Sequence, residues 1–367
     1  TARILALFTF RPDFSPPWTG RSHLTQITVN RLSRRQVVEV IRQVAHGKAL
    51  PSEVVEQIVA KTDGVPLFVE ELTKMVLESS LLQEREERYE LTGPLPALAI
   101  PATLRDSLMA RLDRLAMVKG MAQLGATLGR EFAYELLQVV SPWDEGTLQQ
   151  GLRQLVEAEL VYQRGAPPHA IYTFKHALIQ EAAYQSLLRS TRQQYHQRIA
   201  QALEARFPTL VEIQPELVAQ HYTAAGCVEQ AVVYWQRAGQ RASERSAHLE
   251  AISHCTTGIE LLQNLPETPE HIQQSLTLHL ALGAALQVAK GQAVPEVEHT
   301  YTQAYALCQQ VGETPELFPV LFGLWRFYNN RAQLHTAREI GETLLRLAQH
   351  ANDPTLAVVA HQALGAV

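Results

Sequence analysis

Four residues stand where a side chain or a turn could meet an anionic ligand. Arg11 follows Thr9 and Phe10 at the end of an apolar run. Gly64 and Pro66 share the turn Gly64-Val65-Pro66-Leu67, and His176 lies within Phe174-Lys175-His176-Ala177-Leu178. The phosphates of a nucleotide call for cations and backbone N–H donors. Arg11 would stand at the carboxyl end of a buried strand, where α/β sheets bind ligands. Pro66 has a fixed φ and no N–H, which suits a flat apolar contact. Each residue also has a plainer reading. Arg11 could be a surface cation, Gly64 and Pro66 the stop of one helix and the start of the next, and His176 an ordinary histidine at a helix start.

Nothing else in the chain amounts to a catalytic set. There is no Gly-x-x-x-x-Gly-Lys-[Ser/Thr] phosphate loop, Gly-x-Gly-x-x-Gly, His-Glu-x-x-His or Gly-x-Ser-x-Gly. His254 and Cys255 are neighbours on a predicted helix, so their side chains diverge and do not readily share a metal. Glu70 and Glu71 read as a solvated helix face rather than an acid/base pair. No residue is assigned a catalytic or metal-binding role, and no hydrolysis is expected of this chain alone.

The elements that would position these residues can be read in order. Ile4 to Phe10 is a continuous apolar run of the kind found in a parallel sheet. A parallel strand needs neighbours joined by long crossovers, and no second such strand appears in the next 150 residues. Residues 1–30 therefore read as the last strand and turn of an α/β core in a longer parent chain, with an isolated edge strand as the alternative. Residues 31–82 read as a helical subdomain. Ser33 and Gln36 form a capping box. Val37, Val40, Ile41 and Val44 line one helix face. Val54, Val55, Ile58 and Val59 line a second. A third helix begins at Pro66 with Leu67, Phe68, Leu72 and Val76. Residues 83–100, charged and then Pro-rich, read as a linker.

Residues 101–206 read as a helical domain with one hairpin. Leu160-Val161-Tyr162 and Ile171-Tyr172-Thr173-Phe174 flank Gly165-Ala166-Pro167-Pro168 after several helices, the pattern of a winged helix. Residues 207–367 read as helix after helix. The segments ending in Gly283, Gly323 and Gly365 recur at intervals of 40 and 42 residues, a period that predicts stacked helical hairpins. The fold class is thus mainly α. Small residues at the matched positions would let helices approach closely.

Composition narrows the function classes. The net charge of −5 argues against a strongly basic nucleic-acid binder. Three separated cysteines, Cys227, Cys255 and Cys308, exclude a disulfide framework and point to a reducing, cytoplasmic setting. No apolar run is long enough to span a membrane. Residues 207–367 carry 8 Lys/Arg against 15 Asp/Glu. That balance suggests a basic or apolar peptide partner on the repeats, or glutamates that simply keep a helical array soluble. The hairpin loop has no Lys or Arg after Arg164, which weighs against DNA.

Taken in order, the motifs resemble the STAND branch of the AAA+ ATPases, the signal-transduction ATPases with numerous domains. In that family a sensor strand ends in a Thr-Thr-Arg-like motif, a Gly-Leu-Pro-Leu-like motif lies on the nucleotide, and a winged helix carries a Met-His-Asp-like histidine. Arg11 matches the sensor arginine, Gly64 and Pro66 the second motif, and His176 the histidine. Phe10 replaces the second Thr, and Lys175 and Ala177 replace Met and Asp. The phrases TFRP (9–12), TDGVPLFVEEL (62–72), IPATLRDSLMARLDRL (100–115) and TFKHALIQEAAY (173–184) resemble a bacterial group more closely. That group joins an adenylate/guanylate cyclase or Ser/Thr kinase domain to a STAND ATPase and tetratricopeptide-like repeats. Ala219, Tyr222, Ala231, Trp235 and Ala238 fit the interlocking positions of such repeats.

The resemblance implies the trailing edge of an AAA+ α/β core, a helical subdomain, a winged-helix domain and a tetratricopeptide-like solenoid. It implies ATP/ADP with Mg as the cofactor of the intact parent, and a cyclase or kinase domain upstream in cis. His176 would act as a latch that ties the winged helix to the β-phosphate of ADP. Three functions remain open: the regulatory part of a nucleotide-switched signalling ATPase, a tetratricopeptide-type interaction scaffold, and a winged-helix transcription regulator.

Overall fold

The structure is a computed structural model. It describes residues 5–10, 14–15, 24–79, 81–93, 103–312 and 314–366, without the side chains of Ala116 and Met117. The chain divides into two compact units, one up to Arg111 and one from Leu112 onward.

The first unit is built on three helices, α1 (Arg34–Val44), α2 (Ser52–Thr62) and α3 (Pro66–Leu77). The predicted capping pair is in place, with Gln36 Oε1 accepting from the Ser33 N–H at 2.9 Å. Val37 and Ile41 of α1 meet Val54 and Ile58 of α2 and Phe68, Leu72 and Val76 of α3 in one apolar core. These are the faces that the 3.6-residue periodicity marks. A hairpin follows, β1 (Leu82–Glu84) and β2 (Tyr89–Leu91), antiparallel with Leu82 opposite Leu91. The start of the predicted linker is therefore structured: Leu82 and Leu91 pack on the helical core. Helix α4 (Leu104–Arg114) adds Leu104 and Ala110 to the same core.

The expected buried strand does not form. Residues 5–10 carry no strand, and Leu5 and Leu7 are 96% and 85% exposed. A parallel strand exists only beside a hydrogen-bonded neighbour. Both sheets among the described residues are antiparallel and are made of other segments, so no AAA+ β-core is present there. Arg11 lies outside the described residues.

The second unit opens with α5 (Ala116–Leu128), β3 (Glu131–Ala133), α6 (Tyr134–Val140), α7 (Glu145–Glu157), β4 (Val161–Arg164) and β5 (Ile171–Phe174). The three strands form an antiparallel sheet in the order β3-β5-β4. Val161 pairs with Phe174 and Glu131 with Thr173. Phe132, Tyr172 and Phe174 turn inward and their rings lie against one another. Asp144 caps α7 by accepting from the Thr147 N–H at 3.0 Å. Helices α8 (Ala177–Gln185), α9 (Arg189–Arg206) and the short α10 (Pro208–Ile213) lead into the repeats.

Eight helices then stack in sequence: α11 (Pro215–Ala225), α12 (Val228–Glu244), α13 (His248–Leu262), α14 (Pro269–Ala289), α15 (Pro295–Val311), α16 (Leu317–Asn330), α17 (Leu334–Ala351) and α18 (Pro354–Gly365). Each packs on the next, and α14 also touches α12 and α16. Four of them open on proline, where the missing N–H leaves no extra donor unsatisfied. The matched glycines fall on alternate helices, Gly283 on α14, Gly323 on α16 and Gly365 on α18, so the sequence period is one helical hairpin. The Tyr301 ring lies between the first two. A Cβ on Gly283 would come within 2.6 Å of it, and a Cβ on Gly323 within 2.3 Å. The molecule is almost entirely α-helical, with long stacked helices of the tetratricopeptide kind.

Candidate functional site

The sequence-predicted residues divide between the two units. Gly64 and Pro66 belong to the first and His176 to the second. Helix α2 ends in two left-handed residues, Asp63 (φ 46°) and Gly64 (φ 69°). Gly64 is required there for a second reason. Its carbonyl accepts from the Leu32 N–H at 2.8 Å, and a Cβ on it would stand 2.3 Å from the Leu32 carbonyl oxygen. The space that glycine opens on that side is thus filled by the backbone of Leu32. Pro66 is the first residue of α3 and is exposed. His176 is the N-cap of α8 and stands one residue beyond the end of β5; its carbonyl accepts from the Ile179 N–H at 3.0 Å.

Of the two adjacent glutamates, only Glu70 keeps contact with water, paired along the helix with Lys74 at 2.8 Å. Glu71 does not lie on a solvated face. It is fully buried and bonded to the Arg111 guanidinium, itself 3% exposed, which also reaches Glu78 at 3.2 Å. The helix that carries Glu71 is covered by α4, so a carboxylate there needs a buried cation. His254 and Cys255 diverge as expected: His254 lies against the Trp235 ring and Cys255 is buried. Among the described residues no group of three metal-ligating side chains forms.

The repeats hold two polar constellations that sequence reasoning missed. The first joins the sheet-bearing part of the second unit to the array. Tyr184 Oη is 2.9 Å from His196 Nε2, and His196 Nδ1 is 2.8 Å from His221 Nδ1. One Nδ1 must donate and the other accept, so the accepting ring is neutral. Burial lowers the pKa of both, and the nearby Arg192 adds to the effect at His196. Next to this pair, Glu204 accepts from the hydroxyls of both Tyr222 and Tyr234, the latter at 2.7 Å.

The second constellation is a cavity of about 400 Å³ between α13 and α15, with α14 beneath it and the 263–268 loop at its edge. Leu262, Leu265, Ile272 and Leu307 give it apolar walls. His279 is only 5% exposed. Its Nδ1–H donates to the Ser275 carbonyl at 2.8 Å, and its Nε2 is 3.4 Å from Gln303 Oε1. Burial keeps the His279 pKa below the usual imidazole range. No lysine or arginine lines the cavity.

No family model matches the chain. An uncharacterised protein of Rhizobium meliloti (strain 1021) is 25% identical over 378 residues, which covers 100% of this chain and 36% of that protein. The chain thus spans little more than a third of the length of the curated relative it matches. Among solved structures it bears a distant, partial similarity to a signal transduction ATPase with numerous domains, carrying a tetratricopeptide repeat sensor, from Pyrococcus horikoshii. The identity is 11% and the TM-score 0.35, over 91% of this chain and 56% of that one. No helix among the described residues is long and apolar enough to cross a membrane.

Proposed function

We propose that the chain serves as a protein-interaction module whose working surface is the helical array α11–α18. The observation that carries this reading is the array itself. Eight helices packed in sequence leave an extended surface, and that surface holds a formed cavity with neutral hydrogen-bonding groups at its base. Panning a random peptide library on the immobilised chain tests the reading. Enriched sequences that compete with one another and slow amide exchange in α13–α15 support it. No enrichment over a heat-denatured control removes it.

A second reading keeps a nucleotide-switched signalling ATPase in a longer parent, with Arg11, Gly64, Pro66 and His176 as nucleotide contacts. It is favoured by the order helix–strand–helix–helix–hairpin in α5 to β5, which is that of a winged helix, and by His176 at the helix start that follows. ATP/ADP with Mg and an upstream cyclase or kinase domain belong to this reading. A parent chain that retains ADP through purification, and loses it on His176→Ala, would support it; unchanged retention would remove the latch. A DNA-binding role is disfavoured, because α7 opens and closes on Glu145 and Glu157 around the single cation Arg153.

A further inference from the structure

We infer that the cavity between α13 and α15 receives one cationic side chain, an arginine or a lysine, from a partner protein. The inference rests on the interaction-module reading and specifies its ligand. Size is the first argument. A cavity of about 400 Å³ accepts one long side chain but not a folded element. Wall chemistry is the second. Leu262, Ile272 and Leu307 present the apolar surface that the methylene stem of arginine or lysine covers well.

The polar atoms decide the sign of the ligand. Glu267 and Gln303, both exposed, line the cavity together with the buried His279. His279 commits Nδ1–H to the Ser275 carbonyl and turns Nε2 to the Gln303 amide, so the acceptors left for a ligand are the Glu267 carboxylate and the remaining lone pair of the Gln303 side-chain oxygen. A donor-only head group, guanidinium or ammonium, matches these acceptors. An anion would meet a carboxylate with no cation to offset it. A purely apolar side chain would strip water from Gln303 and Glu267 without replacing the lost hydrogen bonds.

The surroundings point the same way. Between Ser246 and Trp325 the chain has eight glutamates and one Lys or Arg, Lys290. Lys290 is already paired with Glu296 at 3.0 Å. The segment that builds the cavity therefore carries a negative balance, which draws basic partners in and repels acidic ones.

The test uses the full chain and the same random peptide library. Enriched peptides are expected to share one basic position. Replacing that residue by alanine in the peptide should weaken binding about tenfold or more, on the scale of a lost charge-assisted hydrogen bond. In the protein, Glu267→Gln and Gln303→Leu should each weaken the same peptides several-fold, and Glu267→Gln should flatten the salt dependence. Both positions are exposed, and an unchanged amide-exchange pattern will verify that the variants are folded. Peptides enriched without a shared basic position, or with one that is insensitive to both variants, overturn the cavity assignment and leave the interaction module standing. No enriched peptide at all removes both.

Discussion

The two units hold their helices by opposite means. In the first, α4 is fixed to α3 by a buried ion pair, Arg111 with Glu71. In the array, α14, α15 and α16 are fixed by bare backbone: Gly283 and Gly323 both leave room for the Tyr301 ring. The difference concerns what each contact cannot tolerate. A buried ion pair fails when an atom is taken away, because the charge left behind has no partner and no water. A glycine contact fails when an atom is added, because a ring packed at native density has nowhere to move.

The largest effect is therefore expected from Arg111→Ala. It leaves the Glu71 carboxylate buried, at a cost of about 3–5 kcal/mol. Faster amide exchange in α3, with the array unaffected, would check both the size and the locality of the loss. Glu71→Gln/Arg111→Met removes both charges and should recover much of that stability; a double variant as unstable as the single would show that packing, not charge, holds α4.

Acid should act where α9 meets the array, at His196 and His221. The His196 and His221 pKa values are lowered in the folded state, so the unfolded chain binds more protons as pH falls. Stability is then intact above about pH 6.5 and declines below it, by at most about 1.4 kcal/mol per pH unit for each imidazole. For His196 the decline ends near its folded pKa of about 4. Unfolding midpoints of α9 and α11, followed from pH 7.5 to 5, check the sign. His196→Phe/His221→Phe should flatten the slope. An unchanged slope would place the acid response elsewhere.

How much of this was legible in the sequence follows from the range over which each interaction acts. The faces of α1, α2 and α3 were legible, since Val37, Ile41, Val54 and Ile58 recur with the helical period. So were the hairpin around Gly165 and the one-hairpin spacing of Gly283 and Gly323. The apolar run at 4–10 misled, because apolarity signals burial only when a neighbouring strand supplies it, and sequence does not reveal neighbours. Glu71 misled for the converse reason. Its partner Arg111 is 40 residues away, and a carboxylate looks solvated until its cation is found. Gly64 was picked out as a ligand contact, whereas its close neighbour is the carbonyl of Leu32. Of the cavity, only the charge was legible, as a run of glutamates around one lysine. The meeting of His279 with Gln303 depends on how α14 lies against α15.

The glycines allow a graded test of the steric half of the comparison. Alanine is the better helix former by roughly 1 kcal/mol, so each Gly→Ala change begins with a gain that only a clash can reverse. At Gly323 the clash is with the Tyr301 ring at 2.3 Å. Overpacking of this kind costs about 1–3 kcal/mol, and the net result should be a loss read as faster exchange in α15 and α16. At Gly283 an added Cβ would stand 2.6 Å from the same ring, so Gly283→Ala should also be a net loss, read as faster exchange in α14 and α15. A neutral Gly323→Ala would mean that the Tyr301 ring can shift, and that the array is looser at its centre than its packing implies.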